Sequence, residues 1–284
     1  MEPAIPMTRL KLASVQYVNA DPLTWGFRRG PFRDTFEVLQ VPPSRIPDLL
    51  AAGRADAGLI PSIEYQRLDD VALLPYLCIA SKRRARSVYL ASRVPLDRVR
   101  RVALDENSRT SAALLRLVLE HRDLRDVAFV ERAPTLREML RDNDAALLIG
   151  DAALTADTTG LHVLDLAAAW HEITGLPFVF ALWAVRRGVV LPDGVRPFLE
   201  SRQIGAANLP LIAREAAARL RLPAASIEEY LRVNIHYHLG SEEARGLDLF
   251  YRQASESGLV PGRRAIQFAA PADLEPAQAG RGPR

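Results

Sequence analysis

Asn19 stands between an apolar, strand-like run and Asp21-Pro22, a pair suited to the first turn of a helix. An asparagine placed there can turn an amide donor and a carbonyl acceptor into a cleft, beside backbone N–H groups that favour an anion; equally, it can serve as a turn residue. Further along, Asp105-Glu106-Asn107-Ser108-Arg109-Thr110-Ser111 leads from a strand-like run into a helical one. Ser108, Thr110 and Ser111, with the first N–H groups of that helix, would form a neutral cradle for a carboxylate or phosphate, and Arg109 could add a charge-assisted bond. The plain alternative is that Ser108 caps the helix and Arg109 is solvated. Neither GxxxxGK[ST] nor GxGxxG occurs, so a small carboxylate suits this cradle better than a nucleotide. Ser87 opens an extended segment from which it could reach the same cleft. Gly150 and Asp151 close an apolar run, where Asp151 could orient a ligand hydroxyl or cap the next helix.

The elements that must hold these residues follow from the hydrophobic periodicity. Apolar runs of strand length at 10–17, 35–41, 55–60, 99–104, 127–131, 145–149 and 178–185 alternate with helix-length amphipathic segments, which predicts an α/β fold with largely parallel sheets. The C-terminal third reads as helices at 197–202, 210–220, 227–233 and 241–257. Two βα series joined by extended segments near 86–94 and 178–186 predict two lobes with a ligand cleft between them. The expected division is 8–90 plus 187–268 for lobe 1 and 91–186 for lobe 2. A Pro-, Ala- and Gly-rich tail, 269–284, is expected to be disordered.

Other chemistry is disfavoured. Among 284 residues Cys78 is the only cysteine, set in an apolar run, so no intrachain disulfide or thiolate cluster can form and a reducing compartment fits. His121, His162, His171, His236 and His238 form no metal-ligand spacing, so no metal is expected. His236-Tyr237-His238 suits packing at an element's end better than catalysis. Trp25, Trp170 and Trp183 fall on apolar faces and read as core. The formal net charge is +3, and lysine occurs only at Lys11 and Lys82, the other basic residues being arginines interspersed with acids. Neither a nucleic-acid nor a membrane partner is expected. Residues 1–7 read as a loose leader without an apolar signal region, with Met7 as an alternative start, and a cytoplasmic location is expected.

The ordered set Ser14-Val15-Gln16-Tyr17-Val18-Asn19-Ala20-Asp21-Pro22-Leu23, Ala57-Gly58-Leu59-Ile60-Pro61-Ser62-Ile63-Glu64-Tyr65, Arg86-Ser87-Val88 and Asn107-Ser108-Arg109-Thr110-Ser111 resembles the chorismate dehydratases of the futalosine route to menaquinone. Ala145-Ala146-Leu147-Leu148-Ile149-Gly150-Asp151, Thr174-Gly175-Leu176-Pro177-Phe178-Val179-Phe180-Ala181 and Asn234-Ile235-His236-Tyr237 continue the match, which spans about residues 9–258. The resemblance implies a type II periplasmic-binding-protein-like fold of two α/β lobes, and a cytoplasmic hydro-lyase without cofactor that converts chorismate to 3-[(1-carboxyvinyl)oxy]benzoate and water. It implies Asn19 and Ser87 as positioning residues at the ligand, and Ser108, Thr110 and Ser111 as anion donors. Gln16 stands where the family often has serine, which alters one wall. No residue of these motifs is an obvious general base, so the substrate's enolpyruvyl carboxylate is expected to take the proton. The alternative is a non-catalytic binding protein or sensor of the same fold. The related dihydroxynaphthoate synthases carry a Ser-Pro-Cys-Pro-Asn-Asp-Thr run that this chain lacks.

Overall fold

The computed structural model describes residues 9–269. The expected leader and residues 270–284 of the expected tail lie outside that range. Ala269, the first residue assigned to the tail, is buried, and its N–H donates to Leu73 O at 2.8 Å.

Two sheets form. The first contains β1 (Leu10–Val15), β2 (Phe36–Val41), β3 (Ala57–Pro61), β4 (Val71–Ser81), β10 (Phe178–Arg186) and β11 (His236–His238), in the order β11-β4-β10-β3-β1-β2. The second contains β5 (Val88–Ser92), β6 (Arg101–Asp105), β7 (Ala128–Arg132), β8 (Ala145–Ile149) and β9 (His162–Asp165), in the order β7-β6-β8-β5-β9. Each sheet has a parallel trio, β2-β1-β3 and β7-β6-β8, to which antiparallel strands are added. The sheets are therefore mixed where largely parallel ones were expected. The reason lies in β5 and β10, each of which enters its sheet directly after a crossing and so runs against its neighbours.

The expected lobe boundary at 90/91 cuts through β5, and the one at 186/187 falls just after β10 and assigns that strand to lobe 2. All of β5 pairs in the second sheet and all of β10 in the first. We propose crossings at 82–87 and 175–177 instead. Arg86 adopts φ +62, a conformation costly for a residue with a Cβ. The Asp165 carboxylate offsets that cost by accepting Arg86 N–H at 2.7 Å and Ala85 N–H at 3.2 Å. The same carboxylate caps α6 (Leu166–Thr174) through Ala167 and Ala168 N–H, both at 3.1 Å. One buried acid thus ties the first crossing to a helix start and sets the position of Ser87.

Helices α1 (Asp21–Arg28), α2 (Ile46–Ala51), α3 (Arg109–Glu120), α4 (Leu136–Met139) and α5 (Gly150–Thr155) complete the βα series with α6. The C-terminal helices α7 (Arg196–Ala207), α8 (Leu209–Leu220), α9 (Ala224–Glu229) and α10 (Ser241–Glu256) follow. The helix expected at 197–202 continues to Ala207, where Asn208 and Pro210 end it and begin α8. Trp25, Trp170, Trp183 and Cys78 are buried in the core, as their apolar settings predicted. His236 and His238 sit on the short edge strand β11, paired with β4.

α1, which carries the turn of Asn19 at its N-terminus, packs on α7 at contact distance because two glycines allow it. A Cβ on Gly26 would lie 2.7 Å from Ser201 Cα, and one on Gly205 would lie 2.0 Å from Pro22 O. The Ser201 hydroxyl accepts Gly26 N–H at 3.0 Å and donates to Leu23 O at 2.8 Å. Overpacking this contact should cost about 1–3 kcal/mol, each kcal/mol lowering the melting temperature by roughly 2–4 °C. Gly205→Ala is therefore expected to melt roughly 2–12 °C below wild type in a thermal scan. Unchanged melting would show that α1 is not fixed by this contact.

Candidate active site

A cavity with about 560 Å³ of empty space, its mouth included, opens where the two sheets face each other. Asn19, Ser87, Ser108, Arg109, Thr110, Ser111 and Gly150 all line it. Asp151 does not. Apolar walls come from Val15, Leu59, Ile79, Ile149, Phe180 and Ile235.

The start of α3 lies on the cavity wall without a side-chain cap. Ser108 precedes the helix, but its side chain makes no cap hydrogen bond, and its Oγ is buried without any partner. The simple capping role weighed for it is therefore not the arrangement present. Buried hydroxyls without partners are costly unless something else satisfies them, and the first-turn N–H groups beside Ser108 carry the positive end of the helix dipole. Thr110 Oγ1 accepts Ile63 N–H at 3.2 Å and retains its own hydrogen to donate. Ser111 is 5% exposed.

Arg109 differs from the freely available cation expected. Its Nη1 lies 3.0 Å from Glu64 Oε2, and Glu64, itself buried, also holds Arg67. The guanidinium lines the cavity paired to a carboxylate that it shares with Arg67.

Asn19 sits in a 3-10 turn, Val18–Ala20, directly before α1. Its Oδ1 is buried and unpartnered. Asp151 secures this turn from the opposite sheet. One carboxylate oxygen accepts Val18 N–H at 2.9 Å, and the other is bound by Arg219 of α8. Asp151 was expected at the ligand; with both oxygens engaged by protein, it positions the Asn19 turn instead. Gly150 has φ +57 and donates its N–H to Ser87 O at 2.8 Å. A Cβ there would lie 2.6 Å from the Tyr17 ring, so Gly150 forms the seat on which Tyr17 rests.

Ser87, 1% exposed, is bonded through its Oγ to Tyr230 OH at 2.7 Å. Tyr230 begins a π-helical turn, Tyr230–Asn234, where the sequence predicted a continuous helix over 227–233. Neither Tyr230 nor the seating of Tyr17 was foreseen. The π turn has no local signal, and Tyr230 is distant in sequence from Ser87.

The titratable groups at or behind the walls are few. Burial, reinforced by the carboxylates of Asp105 and Asp151, raises the Tyr17 phenol above its ordinary range. Burial likewise raises Tyr230. Asp105, at the end of β6, is 2% exposed with one oxygen unpartnered and the other accepting Asn107 N–H at 2.9 Å. Burial pushes its carboxyl up to about 6 despite the hydrogen bonds from Asn107. Among the described residues lining the cavity there is no aspartate, glutamate, histidine, lysine or cysteine. Nor do the described residues contain a group of three or more histidine, cysteine or acidic side chains arranged to hold a metal ion. No described helix is long and apolar enough to cross a membrane.

Comparison with known proteins extends these observations. The family model described as "Menaquinone biosynthesis" matches residues 10–256. A Thermus thermophilus protein named chorismate dehydratase is 34% identical over 254 residues, covering 83% of this chain and 91% of the relative. Among solved structures, protein AF1704 from Archaeoglobus fulgidus superposes with a TM-score of 0.75 at 19% identity, covering 89% of this chain and 98% of that one. The periplasmic aliphatic sulphonate binding protein SsuA from Escherichia coli gives 0.69 at 18% identity, covering 96% and 95%. The fold is thus the periplasmic-binding-protein type that the family resemblance implied, with the two lobes that the hydrophobic pattern predicted.

The elevated Asp105 has a measurable consequence. Its folded value lies above the ordinary 3.8, so between about pH 4 and 6 the native state binds more protons than the unfolded chain. This group's contribution to stability therefore declines as pH rises through that window. Asp105→Asn removes the ionisation, and denaturant unfolding should show the variant gaining on wild type by up to about 3 kcal/mol between pH 4 and pH 8. A stability difference that does not change with pH would contradict the buried, destabilised carboxylate.

Proposed function

The chain belongs to the menaquinone biosynthesis family, and on that premise we propose that it is a hydro-lyase dehydrating chorismate to 3-[(1-carboxyvinyl)oxy]benzoate in the cytoplasm. The observation that carries this reading is a cavity rich in neutral donors and devoid of a side-chain base. Chorismate brings two carboxylates, and the hydroxyls and N–H groups at the start of α3 suit one of them without burying an unpaired arginine. Asn19 and Ser87 are the positioning groups for the reacting ring. Gly150 contributes shape through Tyr17, and Asp151 acts from behind the Asn19 turn.

The reaction breaks the C3–H bond, whose electron pair becomes a ring double bond, and breaks the C4–O bond, whose pair leaves with the oxygen. The proton from C3 and the departing hydroxide together make water. Aromatisation supplies the driving force. With no base on the walls, the substrate's own enolpyruvyl carboxylate takes the C3 proton, and the protein's task is to hold the conformer in which that carboxylate reaches it. The alternative, a non-catalytic binder of small carboxylates, is not favoured beside relatives named chorismate dehydratase.

Incubation of the purified protein with chorismate, without added metal or nucleotide, is expected to yield the enolpyruvyl benzoate in an enzyme-dependent manner on chromatography. Chorismate that persists but raises the melting temperature would make the chain a binder instead. Asn19→Ala should lower kcat/KM by about a hundredfold, within the range for a lost positioned polar group, with little change in melting temperature. Asp151→Asn retains an acceptor for Val18 N–H and should keep much of the activity. Loss beyond roughly a thousandfold in kcat with binding retained would assign Asp151 the role of base and overturn substrate-assisted proton removal.

A further inference from the structure

The buried contact between Tyr230 and Ser87 bears on the polarity of the site, given the chorismate reading above. Tyr230 is 1% exposed and does not line the cavity, whereas Ser87 and Asn19 both do. The phenol lies 2.7 Å from Ser87 Oγ, and the Asn19 side chain is close enough to help stabilise the phenol oxygen. Two hydroxyls in contact must divide the roles of donor and acceptor. A phenol is a far stronger acid than an aliphatic alcohol, so Tyr230 donates and Ser87 Oγ accepts. The Ser87 hydrogen is then free for the cavity.

The same phenol oxygen can accept from the Asn19 amide, which leaves Asn19 Oδ1, buried and otherwise unpartnered, as an acceptor. One residue thereby fixes two polarities, a donor at Ser87 and an acceptor at Asn19. A hydroxyl group is the ligand that needs both, a donor against its oxygen and an acceptor for its hydrogen. In the dehydration, the departing oxygen gains negative charge as the C–O bond breaks, so the Ser87 donor strengthens toward the transition state.

We propose that Tyr230 is a positioning residue that sets Ser87 as donor and Asn19 as acceptor to the hydroxyl that chorismate loses. Tyr230 stands where α9 passes into the π turn, and its phenol meets Ser87 at the end of the first crossing.

A double-mutant cycle tests it, with kcat and KM for chorismate measured in wild type, Tyr230→Phe, Ser87→Ala and the double variant. Tyr230→Phe is expected to lower kcat by about 10–100-fold with KM changed less than about threefold, and the double variant should be little slower than Ser87→Ala alone. The enolpyruvyl benzoate product has lost the hydroxyl, so its Kd should be nearly the same for Tyr230→Phe and wild type. A purely structural role for Tyr230 would weaken product binding as well, and would overturn the proposal. So would losses that multiply in the double variant, or a wild-type kcat in Tyr230→Phe. A wild type that does not consume chorismate would instead remove the dehydratase reading on which the cycle depends, an outcome distinct from an active enzyme with independent residues.

Discussion

A carboxylate leaving water must find hydrogen-bond donors, and on the proposed reading the start of α3 supplies them beside an arginine already paired to Glu64. The cost of desolvating an ion pair commonly rivals what the pair returns, whereas N–H groups at a helix start and nearby hydroxyls bind an anion with little reorganisation. Much of the local structure serves this condition. α3 begins without a side-chain cap, so its first N–H groups and Ser108 Oγ stay available. Glu64 engages Arg109 and divides its single negative charge between that guanidinium and the one of Arg67.

The contacts that join the two sheets gather around the cavity. Val18 N–H and Arg219 meet Asp151, the Tyr17 ring rests on Gly150, Ile63 N–H reaches Thr110, and Ser44 Oγ lies 3.1 Å from Asn107 Oδ1. Each joins a group near the Asn19 side to one near the α3 side. The position of Asn19 relative to the anion cradle is thus set by several bonds across the cleft, each worth about 1 kcal/mol, and not by either sheet alone.

Much of this was legible in the sequence. Alternation of apolar runs with amphipathic segments showed two βα series, and the absence of phosphate-loop glycines directed attention to carboxylates. Asn19 and the Ser108–Ser111 stretch stand where a strand end runs into a helix start, which places side chains at a cleft, whereas Ser87 was expected at the ligand through the family resemblance. What escaped depends on residues far apart in the chain. Nothing near Asp151 signals Val18 or Arg219, and nothing near Arg109 signals that Glu64 will hold it. Tyr230 lies on a turn whose π geometry arises from packing; helical periodicity carries straight through it. The direction of β5 and β10 within their sheets was hidden for a related reason, since an apolar run reads alike whichever neighbour it pairs with.

The account turns on where the ligand's carboxylates sit. A crystal structure of the protein with 3-[(1-carboxyvinyl)oxy]benzoate would decide it. The prediction is one carboxylate within hydrogen-bond distance of Ser108 Oγ and the N–H groups at the start of α3, with Arg109 still paired to Glu64. A carboxylate bound instead by Arg109 released from Glu64, or a ligand lying outside the cavity, would contradict a site built on neutral donors.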